Sequence, residues 1–90
     1  MSTIPEGYPE VAPDLVVEVV SPSDHFTRLQ TKLRHYLDKG VRLVWVVDPE
    51  DRSLTIYRPD RPMKVLGEKD TLSGEEVVPG FSCLVADLLP

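Results

Sequence analysis

Several features that define whole classes of protein are scarce in this 90-residue sequence. Its single cysteine, Cys83, excludes an internal disulfide and a cysteine-rich zinc site, and favours a reducing, cytoplasmic location. No apolar run approaches the roughly 18 residues of a membrane span. Residues 1–10 also lack the charged and apolar regions of a signal peptide. A membrane partner is therefore not expected.

The composition is that of a globular chain with a small core. Hydrophobic residues make up 41% of the sequence and charged residues 28%, which excludes disorder of the whole chain. A domain of 90 residues buries a marginal amount of apolar surface. A partner subunit or a further segment is therefore expected to complete the core.

The charged residues are unevenly distributed. The formal net charge of −5 argues against a broad phosphate-binding surface. Between His25 and Arg42, however, one acid, Asp38, accompanies five cations: Arg28, Lys32, Arg34, Lys39 and Arg42. A solvated helix face is the simpler interpretation of this cluster, and contact with a polyanion needs support beyond charge.

Two apolar runs flank a helical pattern in the first half of the chain. Residues 1–12 are predicted to form an extended lead-in, and residues 13–90 the domain. The runs Leu15–Val20 and Arg42–Asp48 are typical of strands that are covered on both faces. Apolar residues at helical spacing lie between the two runs, before Gly40: Phe26, Leu29, Leu33, Tyr36 and Leu37.

This order predicts a mixed α/β domain with one main crossover helix. Strand, helix and strand form a βαβ unit, so the two apolar strands should be parallel. Ser53–Arg58 and Met63–Leu66 are expected to extend the sheet in antiparallel fashion, and Val85–Leu89 to form a helical turn. Covering two strands on both faces needs more than one substantial helix, so the domain is expected to be partial.

Glu18 is the most informative residue, because every neighbour in its strand favours burial. An unpaired buried carboxylate costs several kcal/mol, so Glu18 should be paired, metal-bound or protonated. Two structural alternatives stay open, an edge-facing side chain and a structural pair with an arginine. In an inactive remnant, Glu18→Ala is expected to stabilise the chain by removing an unpaired buried charge, and a loss of stability would indicate a structural partner.

Lys32 strengthens a functional interpretation of Glu18. It lies about 40° outside Tyr36 on the helical wheel, at the flank of the buried face. A helix that packs over its own strand can bring this lysine to the carboxylate. A buried acid beside a cation suits metal-assisted attack on a phosphodiester, in which the acid holds Mg²⁺ and the lysine orients water and offsets charge.

An ordered series of motifs also resembles a known family. The motifs are PDLVVEVVSPS at residues 13–23, Lys32 with Tyr36, GVRLVWVVDP at residues 40–49, YRP at residues 57–59 and VPGF at residues 78–81. Together they resemble the Uma-two family of restriction endonucleases, within the PD-(D/E)XK nuclease superfamily.

The resemblance implies a restriction-endonuclease-like fold and Mg²⁺-dependent DNA cleavage. It places Glu18 at the superfamily's (D/E) position and identifies Lys32 as a catalytic lysine supplied by the following helix, since Val20 stands where the motif's lysine usually sits. Family members are about twice as long. The absent part would carry the first helix, the first two strands and the motif's aspartate, so weak or no activity is expected without a second copy or a complementing homologue.

Asp48 is the candidate for a second metal-binding acid, because it ends the strand next to Glu18. Asp48-Pro49 is also an ordinary turn opening, which is the simpler interpretation. The alternative function belongs to another class: a non-catalytic remnant that acts as a protein-interaction module through an exposed sheet edge.

Overall fold

The computed structural model describes residues 12–21, 23 and 25–90. The predicted lead-in, residues 1–12, lies outside the described residues except for Ala12. The elements are β1 (Leu15–Val19), α1 (Phe26–Asp38), β2 (Leu43–Asp48), β3 (Ser53–Arg58), β4 (Arg61–Gly67), β5 (Thr71–Ser73), β6 (Ser82–Leu84) and a 3₁₀ turn (Val85–Leu88). Within these residues, no helix is long and apolar enough to cross a membrane.

The strands form a mixed sheet in the order β1-β2-β3-β4, and β5 pairs with β6 in a small second sheet. β1 and β2 are parallel, with Glu18 opposite Val46, and α1 makes the connection between them. β3 and β4 follow in antiparallel fashion. The mixed α/β class with one main crossover helix is therefore confirmed for the described part of the chain.

β2 is the centre of the core, as its apolar run predicts. One face packs against α1 in a cluster of Val16, Leu33, Tyr36, Val41, Val44 and Val46. The other face packs against the second sheet and the 3₁₀ turn in a cluster of Leu43, Trp45, Val47, Leu54, Ile56, Leu66, Leu72 and Val85. Apolar side chains on both faces of one strand explain why Leu43–Val47 is buried throughout.

The prediction that β1 is covered on both faces is wrong. β1 lies at the edge of the described sheet, and its helix side is buried through Val16 and Glu18. On the other side, Val17 is 38% and Val19 57% exposed, because the layer formed by the second sheet reaches only Leu15. Phe26 was likewise expected on the buried helix face, but this first residue of α1 is 74% exposed.

Candidate active site

Glu18 lies in the middle of β1 and points toward α1. The alternation of the strand puts Val16 and Glu18 on the same face, and Val16 is fully buried there. Glu18 is 2% exposed and is the single buried charged residue among those described. The edge-facing alternative is therefore wrong, because the carboxylate lies beneath the helix.

Helix α1 brings two polar side chains to this carboxylate. The Tyr36 hydroxyl donates a hydrogen bond to Oε1 of Glu18. Nζ of Lys32 lies 4.0 Å from Oε2 of Glu18. Lys32 and Tyr36 are one helical turn apart, a spacing that puts both side chains on neighbouring parts of the helix surface. The predicted approach of Lys32 to Glu18 is confirmed.

The two neighbours of Glu18 differ in their exposure to solvent. Tyr36 is buried, whereas the Lys32 side chain is 37% exposed. A hydroxyl donor and a cation together compensate a carboxylate that would otherwise be costly to bury. The result is a fixed acid whose second oxygen lies near a cation that can also contact an approaching anion.

A small cleft connects Glu18 to the surface. Its volume is about 10 Å³, and its lining includes Glu18, His25, Arg28 and Lys32. This volume is close to the minimum that one water molecule occupies. A water or a single substrate oxygen is therefore the size of group that reaches the carboxylate in this conformation.

Asp48 ends β2 on the same face as Glu18. Since Glu18 pairs with Val46, the Cα atoms of Glu18 and Asp48 are about 8 Å apart on standard sheet spacings. Oδ1 of Asp48 accepts a hydrogen bond of 3.1 Å from the backbone N–H of Asp51. The turn interpretation of Asp48 is confirmed by this contact, and its role as a metal ligand stays a prediction.

Comparisons with known proteins identify the family and the fold of the chain. The Uma2 family model, "Putative restriction endonuclease", matches residues 2–86. This chain belongs to the Uma2 family. No curated protein matches the Uma2 chain.

A solved structure has the same fold as this Uma2 chain. It is the crystal structure of "a putative nuclease belonging to DUF820" from Anabaena variabilis, with a TM-score of 0.77 and 24% sequence identity. The match covers 87% of the Uma2 chain and 44% of the other chain, so the Uma2 chain spans less than half of that protein's length. The restriction-endonuclease-like fold is confirmed for this part.

The chemistry of the donors suits Mg²⁺. Mg²⁺ takes oxygen ligands, keeps several waters and is commonly bound by one or two carboxylates together with substrate phosphates. Oε2 of Glu18 fits the first of these positions. No group of three or more His, Cys, Asp or Glu side chains that could form a cage lies within the described ranges. Among the described residues, the carboxylate of Glu18 is therefore the one buried acidic ligand available to such an ion.

Tyr36 is the site residue that sequence reasoning missed in this Uma2 chain. The helical pattern identified it as part of the buried face, without a polar role. One signal was available, because a buried tyrosine hydroxyl usually finds a hydrogen-bond partner. Glu18, the single acid predicted to be buried on the facing strand, was therefore a candidate partner, but only the packing of α1 over the sheet shows that the two meet.

Proposed function

We propose that this chain forms part of a Mg²⁺-dependent DNA endonuclease that hydrolyses phosphodiester bonds. The observation that carries the proposal is the 4.0 Å approach of the Lys32 ammonium to the buried carboxylate of Glu18. Membership of the Uma2 family and the fold shared with a nuclease structure support it. Glu18 and Lys32 are the proposed catalytic residues, and DNA is the proposed substrate.

Each residue has a distinct role in this proposal. Oε2 of Glu18 would hold the metal ion, while the Tyr36 hydroxyl donates to Oε1 and keeps the carboxylate oriented. Bound Mg²⁺ supplies Lewis acidity and lowers the pKa of a coordinated water. The half-exposed Lys32 ammonium orients the attacking water and offsets the negative charge that develops on the phosphate oxygens.

A second acid is needed for tight metal binding, because one carboxylate holds Mg²⁺ weakly. Asp48 is the proposed candidate on this chain. A second copy of the chain or a complementing homologue is the proposed source if Asp48 serves only the turn. We therefore expect weak nicking from the purified chain and stronger nicking when a partner supplies the acid.

The test is nicking of supercoiled plasmid in the presence of Mg²⁺ or Mn²⁺. Lys32→Ala and Glu18→Gln should each reduce metal-dependent nicking about 100-fold or more, the scale seen when one charge-stabilising group is removed. Lys69→Ala is the matched control, because Lys69 is an exposed lysine in the turn before β5. Nicking that persists in Lys32→Ala, or that stays absent from the wild-type chain even when a complementing homologue is added, would overturn the proposal.

The variant Asp48→Asn distinguishes the role of Asp48 in the turn from its proposed role as a metal ligand. The amide oxygen can still accept the Asp51 N–H, so the turn should survive while the negative charge is lost. If Asp48 is a ligand, the Mn²⁺ concentration for half-maximal nicking should rise and thermal stability should stay constant. An unchanged metal requirement would show that Asp48 serves the turn.

The second candidate function is a protein-interaction module. The exposed Val17 and Val19 on the edge strand β1 favour it, because a short apolar edge can pair with another strand. Val19→Lys should abolish self-association measured by sedimentation velocity. Val65→Lys is the control, since Val65 is similarly exposed on the opposite edge strand, β4. A wild-type chain that sediments as a monomer at every concentration would contradict self-pairing.

A further inference from the structure

An open groove runs along the outer side of α1. Its volume is about 540 Å³, and its lining includes Arg28, Lys32 and His35. We refer to it as the α1 groove. Arg28 and Lys32 also line the small cleft at Glu18, so the groove is continuous with the candidate active site.

The α1 groove differs in charge from the rest of the protein. Among the described residues, no carboxylate belongs to its lining, whereas the whole chain has a formal net charge of −5. Four of the arginines outside the groove are paired with acids: Arg42 with Asp14, Arg52 with Glu68, Arg58 with Glu75, and Arg61 with Asp60, Glu75 and Glu76. Arg34, which also lies outside the groove, forms no ion pair with a described residue. Arg28 forms no ion pair with any described residue. Its charge therefore stays available to an external anion.

The groove donors lie along a line. Arg28 and Lys32 are separated by about 6 Å along the helix axis, and Arg28 and His35 by about 10 Å. One DNA strand carries a negative charge for about every 3.4 Å of duplex axis. Because the strand path is inclined to the axis, the line is long enough to face about two consecutive phosphates, whereas donors for a small anion would converge on one point.

We propose that the α1 groove binds the sugar–phosphate backbone of the DNA strand that is cleaved at Glu18 and Lys32, with Arg28 as its principal phosphate contact. The identity of the strand rests on the proposed nuclease function. Binding itself does not require cleavage, so the groove can be tested independently.

The experiment measures binding of a fluorescein-labelled 20-base-pair duplex by fluorescence anisotropy in EDTA, at several salt concentrations. Arg28→Ala should raise the Kd and reduce the slope of log K against log salt by about 0.9, the loss of one phosphate contact. Arg34→Ala is the matched control, because Arg34 is an exposed arginine of α1 that does not line the groove. It should leave the slope unchanged.

The outcomes separate this inference from the proposed function. The proposal that the α1 groove binds DNA would be refuted if the wild-type chain does not bind the duplex. It would also be refuted if Arg28→Ala and Arg34→Ala change the Kd and the salt slope equally. A lower Kd for an RNA duplex of the same sequence than for the DNA duplex would also refute it. If Arg28→Ala shows the expected slope while Lys32→Ala leaves nicking unchanged, the groove is supported and the nuclease proposal fails. If Lys32→Ala abolishes nicking while Arg28→Ala binds DNA normally, the nuclease proposal is supported and the groove proposal fails.

Discussion

Tyr36→Phe removes one oxygen atom from the site and leaves the aromatic ring in the core. The lost hydroxyl is the donor to Oε1 of Glu18, and both residues are buried. A hydrogen bond to a charged group contributes about 1.5–3 kcal/mol to stability. We expect the variant to lose about 2 kcal/mol of unfolding free energy, because the remaining carboxylate stays buried with one donor fewer.

Thermal and urea denaturation followed by circular dichroism measure this loss. For a domain of this size, 1 kcal/mol shifts the Tm by about 4–8 °C, so a decrease of about 8–16 °C is expected. Tyr57→Phe is the control, since Tyr57 packs against the same cluster and its hydroxyl has no hydrogen-bond partner among the described residues. Its stability should stay within about 0.5 kcal/mol of wild type.

A double-mutant cycle assigns the loss to the Tyr36–Glu18 contact. Glu18→Gln keeps the shape of the side chain and removes its charge, so Tyr36→Phe should cost less in that background. The coupling expected for contacting residues is about 0.5–3 kcal/mol. If Tyr36→Phe is as stable as wild type, or if the two changes are additive, the hydroxyl does not compensate the carboxylate and the reasoning is refuted.

The same contact reverses an expectation drawn from sequence. Glu18→Ala was expected to stabilise a chain in which Glu18 has no structural partner. Because Tyr36 and Lys32 both contact the carboxylate, its removal leaves a buried hydroxyl that loses this acceptor. We now expect Glu18→Ala to lower the Tm, and a higher Tm would show that burial of the charge outweighs its contacts.

Two further predictions concern parts of the protein away from the site. Gly74→Ala should destabilise by about 1–3 kcal/mol, because the new Cβ would lie 2.3 Å from the carbonyl oxygen of Val78. Gly67→Ala, whose nearest contact is 3.7 Å, is the control, and equal Tm values for the two variants would contradict the clash. The Arg61 guanidinium, through its hydrogen bond, holds the pKa of Asp60 below its ordinary value of 3.8. Its small contribution to stability is present above pH 3.8 and is lost as the pH falls through the depressed pKa. In an NMR titration Arg61→Ala should raise the Asp60 pKa toward 3.8, and an unchanged pKa would show that Arg61 is not the cause.

The sequence by itself predicted the local architecture and the approach of Lys32 to Glu18, the two proposed site residues. The apolar run of β2, the helical spacing around Leu33 and the alternation of β3 each depend on residues close together in the chain. They predicted the βαβ unit and its antiparallel extension. Glu18 was conspicuous because its own neighbours are apolar, and Lys32 because its angle on the helical wheel places it beside the buried face.

Tertiary structure decided which faces are covered and which polar groups meet. Val17 and Val19 are exposed because the opposite layer, built from residues far along the chain, ends before β1. The hydrogen bond between Tyr36 and Glu18 depends on how α1 lies over the sheet, which no local pattern encodes. Arg28 became a candidate phosphate contact only when the structure placed it with Lys32 in the lining of both the α1 groove and the cleft at Glu18, because that arrangement depends on how the helix lies against the strand.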